Sequence, residues 1–127
     1  MIDHMDLHVQ DLARTKAFYT AVLRPLGGVL FRENAYGLTF QTGETRDGYL
    51  WFGNGTPYPF HLAFQAENNA AVDAFYSAAL ANGGRDNGAP GYRESYHDGY
   101  YAAFVIDPDG YRIEAVCHNG AAHTNGE

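Results

Sequence analysis

The sequence predicts an α+β fold of two tandem βαβββ modules, and three observations carry that expectation. The first is an internal repeat. The segment from His4 to Gly27 lies over that from His61 to Gly84 at a constant offset of 57 residues, without a gap. Eight of the twenty-four aligned positions are identical, including the triplets Ala17-Phe18-Tyr19 and Ala74-Phe75-Tyr76. The second is a change of apolar period inside each copy, from strand-like alternation to helical spacing. The third is the supply of turn formers: 15 Gly and 5 Pro in 127 residues suit many short strands better than a helical bundle. With 46% hydrophobic and 18% charged residues there is material for a core, which excludes disorder as a class.

The elements follow in order. Ile2 to Val9 alternates, with Met5, Leu7 and Val9 on one face and His4, Asp6 and His8 on the other. Asp11 is placed to cap a helix whose apolar set is Phe18, Tyr19, Val22 and Leu23. Pro25 and Gly27-Gly28 end it. Strands are expected near Val29–Glu33, Tyr36–Gln41 and Gly48–Phe52. The second copy starts with a strand at Phe60–Ala66, then a helix capped by Asn69 with Val72, Phe75, Tyr76 and Ala79 inward, stopped by Gly83-Gly84. Asn87-Gly88-Ala89-Pro90-Gly91 reads as a loop, and strands are expected near Tyr92–Tyr96, Tyr100–Ile106 and Tyr111–Cys117. Asp107-Pro108-Asp109-Gly110 has the residue types of a type I turn. A shorter echo, Asp47-Gly48-Tyr49 against Asp109-Gly110-Tyr111, extends the repeat. The expected organisation is one domain over 1–118, with modules at 1–56 and 57–118, and a flexible polar tail at 119–127.

Charge narrows the partners. Eight Lys+Arg against fifteen Asp+Glu give −7, and Lys16 is the only lysine. Nucleic acid requires a basic footprint, and none is present. No apolar run approaches the roughly eighteen residues of a membrane span, and the N-terminal residues show no signal pattern. The single cysteine, Cys117, excludes an intrachain disulfide and fits a reducing, cytoplasmic setting.

Four pieces of sequence belong together: Ile2-Asp3-His4, Asp11-Leu12 with Ala17-Phe18-Tyr19, Phe60-His61-Leu62-Ala63-Phe64, and Asp107-Pro108-Asp109-Gly110-Tyr111-Arg112-Ile113-Glu114. They resemble the vicinal oxygen chelate superfamily, which holds glyoxalase I, extradiol dioxygenases, fosfomycin-resistance proteins and bleomycin-binding proteins. The resemblance spans nearly the whole chain up to His118. It implies an open, cup-shaped mixed sheet with a metal on its concave face, and a homodimer, some members exchanging modules between chains. The family's metal positions fall on His4, His61 and Glu114.

The residues themselves favour the same three. His4 and His61 are equivalent under the repeat, which sets them opposite each other across a pseudo-twofold axis. A carboxylate between Ile113 and Ala115 is costly to bury without a cationic partner. Two His and one carboxylate suit one divalent ion, Fe, Mn, Zn or Ni, with open positions for vicinal oxygens of a small substrate. The place symmetric with Glu114 falls on Phe52, or on Trp51 after a one-residue slip; neither ligates, so the fourth ligand of glyoxalase I is absent.

Other residues have two readings each. His97 serves as a general base or is a loop histidine. Tyr101, Tyr96 and Tyr100 orient a substrate or simply line a sheet or dimer interface. Arg93 binds a substrate carboxylate or is a surface arginine. His8 faces the substrate or solvent, and Trp51 and Phe52 make one side of the cup apolar. His118 shares the parity of Glu114 and carries no assigned role. Retention of three ligating residue types favours a metal-dependent lyase, isomerase or ring-cleaving dioxygenase over a metal-free, drug-sequestering protein of the bleomycin-resistance type. A phosphonate-modifying transferase fits less well, because no basic cluster is evident.

Overall fold

The computed structural model describes residues 1–42 and 48–119. Strand β1 (His4–Val9) buries Leu7 and Val9 and exposes His4, Asp6 and His8, as its alternation requires. Helix α1 (Leu12–Leu23) begins where the Asp11 carboxylate accepts the Arg14 N–H at 3.1 Å, and it buries Thr15, Phe18, Tyr19, Val22 and Leu23. Pro25 sits in a short 3-10 turn, Arg24–Leu26, which ends at Gly27 with φ of 89°. Three strands follow: β2 (Val29–Glu33), β3 (Gly37–Gln41) and β4 (Tyr49–Asn54). The second module repeats the order with β5 (His61–Gln65), α2 (Asn69–Ala81), β6 (Arg85–Tyr92), β7 (Tyr100–Ile106) and β8 (Arg112–His118).

Each module forms its own four-stranded mixed sheet, ordered β1-β4-β3-β2 and β5-β8-β7-β6. In both, the first and last strands pair parallel and the remaining pairs are antiparallel. Each helix packs on its own sheet, and the two helices pack on each other. One apolar core results, running from Leu7, Phe18, Phe40 and Phe52 to Phe75, Val105 and Ile113. Burying a side chain of this size contributes about 1.5–3 kcal/mol, so the helix-facing sides supply the main driving force. No helix among the described residues is long and apolar enough to cross a membrane.

Polar bonds tie the modules at one end. The turn Asp107–Gly110 closes through Gly110 N–H to Asp107 O at 3.0 Å. The Asp107 carboxylate accepts the Asp109 and Tyr111 N–H groups on one oxygen and the buried Tyr19 hydroxyl of α1, at 2.6 Å, on the other. Asp109 accepts from Gln10 N–H and from the Arg14 guanidinium. Burial pushes the Asp107 carboxyl above the ordinary range, against the pull of these bonds.

Three expectations are corrected. The cap of α2 is Asn68, not Asn69: Asn68 is extended and accepts the Ala71 N–H at 2.9 Å. Asn87 to Gly91 is not a loop but part of β6, an edge strand that tolerates Gly and Pro and shifts register twice. The connection instead occupies residues 93–99, so of the strand expected near Tyr92–Tyr96 only Tyr92 is in a strand, at the end of β6. Tyr76 packs against the core from its half-buried position, as its place on the apolar face implies, with its hydroxyl donating to Asp86. Asp47 and the tail from residue 120 lie outside the described residues.

Candidate functional site

The helices cover one face of each sheet, and the chemistry stands on the other. In β8, Ile113, Ala115 and Cys117 belong to the core beneath α2, so alternation turns Glu114 and His118 outward. Glu114 is nevertheless only 3% exposed. Its Oε1 lies 2.7 Å from Nε2 of His61 on the neighbouring strand, and its Oε2 accepts the Tyr100 hydroxyl from β7. Both carboxylate oxygens are therefore held. Burial first, then the bond to Glu114, pushes the Tyr100 phenol far above its ordinary value, so it remains a donor at neutral pH.

A second pair adjoins the first. His97 Nε2 and His118 Nδ1 lie 3.0 Å apart with stacked rings, and Tyr100 meets both rings edge-on. His97 Nδ1 points at Asp98 O, 2.9 Å away, so that nitrogen carries the proton. Tyr96 packs edge-on against Tyr100, and Phe104 lies 6.1 Å from the His61 ring. Arg93 extends over Phe104 from the other side of β7, 5.2 Å from the ring centroid.

His4 stands elsewhere, on the outer face of the first sheet. Its Nδ1 lies 2.7 Å from Asp3 and its ring stacks on Tyr49 at 5.0 Å. The Asp3 bond raises its pKa. A groove of about 350 Å³ opens beside it, between Asp6, Arg32, Asn34, Thr39, Tyr49 and Trp51. Among the described residues, no three His, Cys, Asp or Glu side chains gather closely enough to hold an ion. The packing explains this. With the helices against each other, the outer faces belong to separate sheets.

Strand register settles the symmetry-related position. Trp51 pairs with Asp6 as Glu114 pairs with Ala63, so Trp51 is the counterpart of Glu114. Phe52 is fully buried on the helix side and cannot meet a ligand on the outer face. The Trp51 indole lies over Gly37 and Gly53, where a Cβ would overlap it. Tyr101 also turns away from the site. Its hydroxyl donates to Asp73 of α2 at 2.6 Å, and the phenol facing Glu114 is that of Tyr100. His8 is exposed beside Gly55, on the first sheet and away from Glu114. Phe104 and the His97–His118 contact are missed from sequence, and the one signal toward them is that His118 shares the parity of Glu114 on β8.

A family model, the Glyoxalase/Bleomycin resistance protein/Dioxygenase superfamily, matches residues 1–115, and the chain belongs to that superfamily. An uncharacterized protein of Bacillus subtilis (strain 168), YqjT, is 27% identical over 126 residues, 89% of this chain and 95% of that one. A glyoxalase/bleomycin resistance protein from Albidiferax ferrireducens T118 is 29% identical in structure-based comparison, covering 94% of this chain and 99% of that one with a TM-score of 0.80. The fosfomycin resistance protein FosX from Mesorhizobium loti shares the fold at 19% identity, 94% and 92% coverage and a TM-score of 0.70. The superfamily includes enzymes, and its members bind small molecules.

Proposed function

We propose that the protein is a metal-dependent enzyme acting on a small oxygenated substrate, and that a second copy of the chain completes its site. The observation that carries this is the 2.7 Å contact of His61 with the buried Glu114, while His4 stands on the other sheet. One chain offers two donors that fit a divalent ion, an imidazole nitrogen and a carboxylate. Facing sheets of two copies would add His4 of the partner subunit and give a 2-His-1-carboxylate set. A Fe, Mn, Zn or Ni ion so held supplies Lewis-acid polarisation of adjacent substrate oxygens.

The chain's own residues prepare that chemistry. Tyr100 holds Oε2 of Glu114 and leaves Oε1 toward His61. Asp3 holds the Nδ1 proton of His4, which leaves Nε2 as the donor nitrogen. His97, with Nδ1–H fixed on Asp98 O, accepts at Nε2 and shares a proton with His118, a pair suited to taking a proton from substrate. Tyr96 and Tyr100 offer ring surface beside the donors. The reaction class is a lyase or isomerase of glyoxalase type or a ring-cleaving dioxygenase. The metal-free binding reading is favoured by one observation only, that among the described residues two donors rather than three meet in a single chain.

Metal analysis with subunit mixing tests the proposal. Wild-type protein is expected to bind about one ion per chain, and His4→Ala and Glu114→Ala each to lose it. Random mixing of the two variants in a closed twofold dimer restores one intact site per mixed dimer, about a quarter of all sites. Wild-type metal content in His4→Ala refutes the shared site. Oxygen uptake with catechols and methylglyoxal–thiol conversion then separate the reaction classes.

A further inference from the structure

We infer that the outer face of the second sheet carries an anchor for the carboxylate of a small ligand with a planar apolar body, built from Arg93 and a glycine cradle in β6. The inference rests on that face being the ligand face, and adds the chemical class of what binds there.

The guanidinium is fixed in place. Nη1 donates to Gly91 O at 2.9 Å and Nη2 to Ala89 O at 2.8 Å, with the Phe104 ring beneath. A Cβ at Gly88 would lie 2.9 Å from Phe104 and 3.2 Å from Nη2, and one at Gly91 would lie 3.1 Å from Nη1. Gly88 also has a φ of 146°, which L side chains rarely adopt. Two glycines, two carbonyls and one ring thus hold a single cation. The carbonyls are neutral, so its charge is not cancelled, and three of its five N–H groups remain.

No carboxylate among the described residues lies within ion-pair distance of Arg93, although the chain has fifteen acids. Its location supplies the rest. Phe104 pairs in register with Glu114 and contacts the His61 ring, so the cation and the donor pair share one side chain. An anionic ligand approaching Glu114 meets like charge, and a fixed guanidinium offsets that repulsion. Its fork matches a carboxylate bidentately, while Tyr96 and Tyr100 offer rings to a planar body. The first module lacks the long connection that carries Arg93. Its β2–β3 connection is the three residues 34–36, against seven residues, 93–99, between β6 and β7.

Three probes of one shape test this by calorimetry: phenylacetate, phenylacetamide and benzylphosphonate. Wild-type protein is expected to bind phenylacetate at least about tenfold more tightly than the other two, since charge-assisted bidentate bonds are the strong ones. Arg93→Gln removes that difference, and Gly88→Ala reduces it by displacing the guanidinium with its charge intact. Arg85→Gln, an exposed charge at the start of β6, leaves it unchanged. Absence of preference in wild type, its survival in Arg93→Gln, or equal weakening of all probes overturns the inference; the last is the signature of a loop staple. Tighter binding of benzylphosphonate overturns the carboxylate assignment. If Arg93→Gln fails to fold, Arg93→Lys, which keeps charge without the fork, decides by the same difference. Repetition on chelator-treated protein separates the two readings: the probe difference persists without metal if the anchor is right, whatever the metal content of Glu114→Ala.

Discussion

Replacing Tyr19 by Phe isolates one bond between the modules. The ring stays, so its contacts with Phe18 and Phe52, at 4.9 and 4.4 Å, survive and no cavity forms. What is lost is the 2.6 Å bond to Asp107, leaving that carboxylate oxygen buried without its donor. A hydrogen bond to a charged group contributes about 1.5–3 kcal/mol, so a loss of about 2 kcal/mol is expected at pH 7. For a chain of this length that is a fall in Tm of about 7 °C. Burial raises the folded Asp107 pKa above its unfolded value, and the Tyr19 bond counters part of that rise. A group raised in this way stabilises the fold fully below its unfolded pKa and loses that contribution as pH rises through the folded pKa. Removing Tyr19 raises the folded pKa further, so the deficit is larger at pH 7 than near pH 3.5. Urea unfolding followed by circular dichroism, at one protein concentration, measures both values. A deficit below about 0.5 kcal/mol at pH 7, or an equal deficit at both pH values, refutes the reasoning.

Two further outcomes are expected. Asn68→Ala costs about 1 kcal/mol through the lost cap of α2, while Asn69→Ala, inside the first turn, costs less; the two unfolding midpoints compare them directly. Tyr100→Phe frees Oε2 of Glu114 and lowers metal affinity about tenfold with the fold intact, read by competition with a chromophoric chelator.

Local pattern and long-range packing divide what could be read in advance. Strand β7 was legible with its bounds, Tyr100–Ile106, because an apolar β-branched and aromatic run ends at a turn whose residues fix it. Strand β6 was not, since Gly88, Pro90 and Gly91 signal a loop unless the segment is known to be a sheet edge. Which of two neighbouring asparagines caps α2 depends on how the chain leaves β5, where Ala66 N–H bonds Val116 O. In the site, the offset and the buried carboxylate pointed to His61 and Glu114, and the structure brings those two together. That His4 stands apart from them follows from helix–helix packing, which no local pattern encodes. Tyr101 and Phe52 show the cost of a one-residue slip: each is adjacent in sequence to the outward-facing residue and points the opposite way.

The indole of Trp51 has a consequence of its own. It occupies the position that Glu114 holds in the other module, lying flat on a floor made by Gly37 and Gly53. The backbone is duplicated, but the two walls it builds are chemically opposite. In the two-copy arrangement proposed above, a bound molecule would meet a carboxylate on one side and an aromatic plane on the other. Such a vessel has handedness: turning the guest end for end exchanges its polar and apolar contacts, so one orientation is selected before any bond is made or broken.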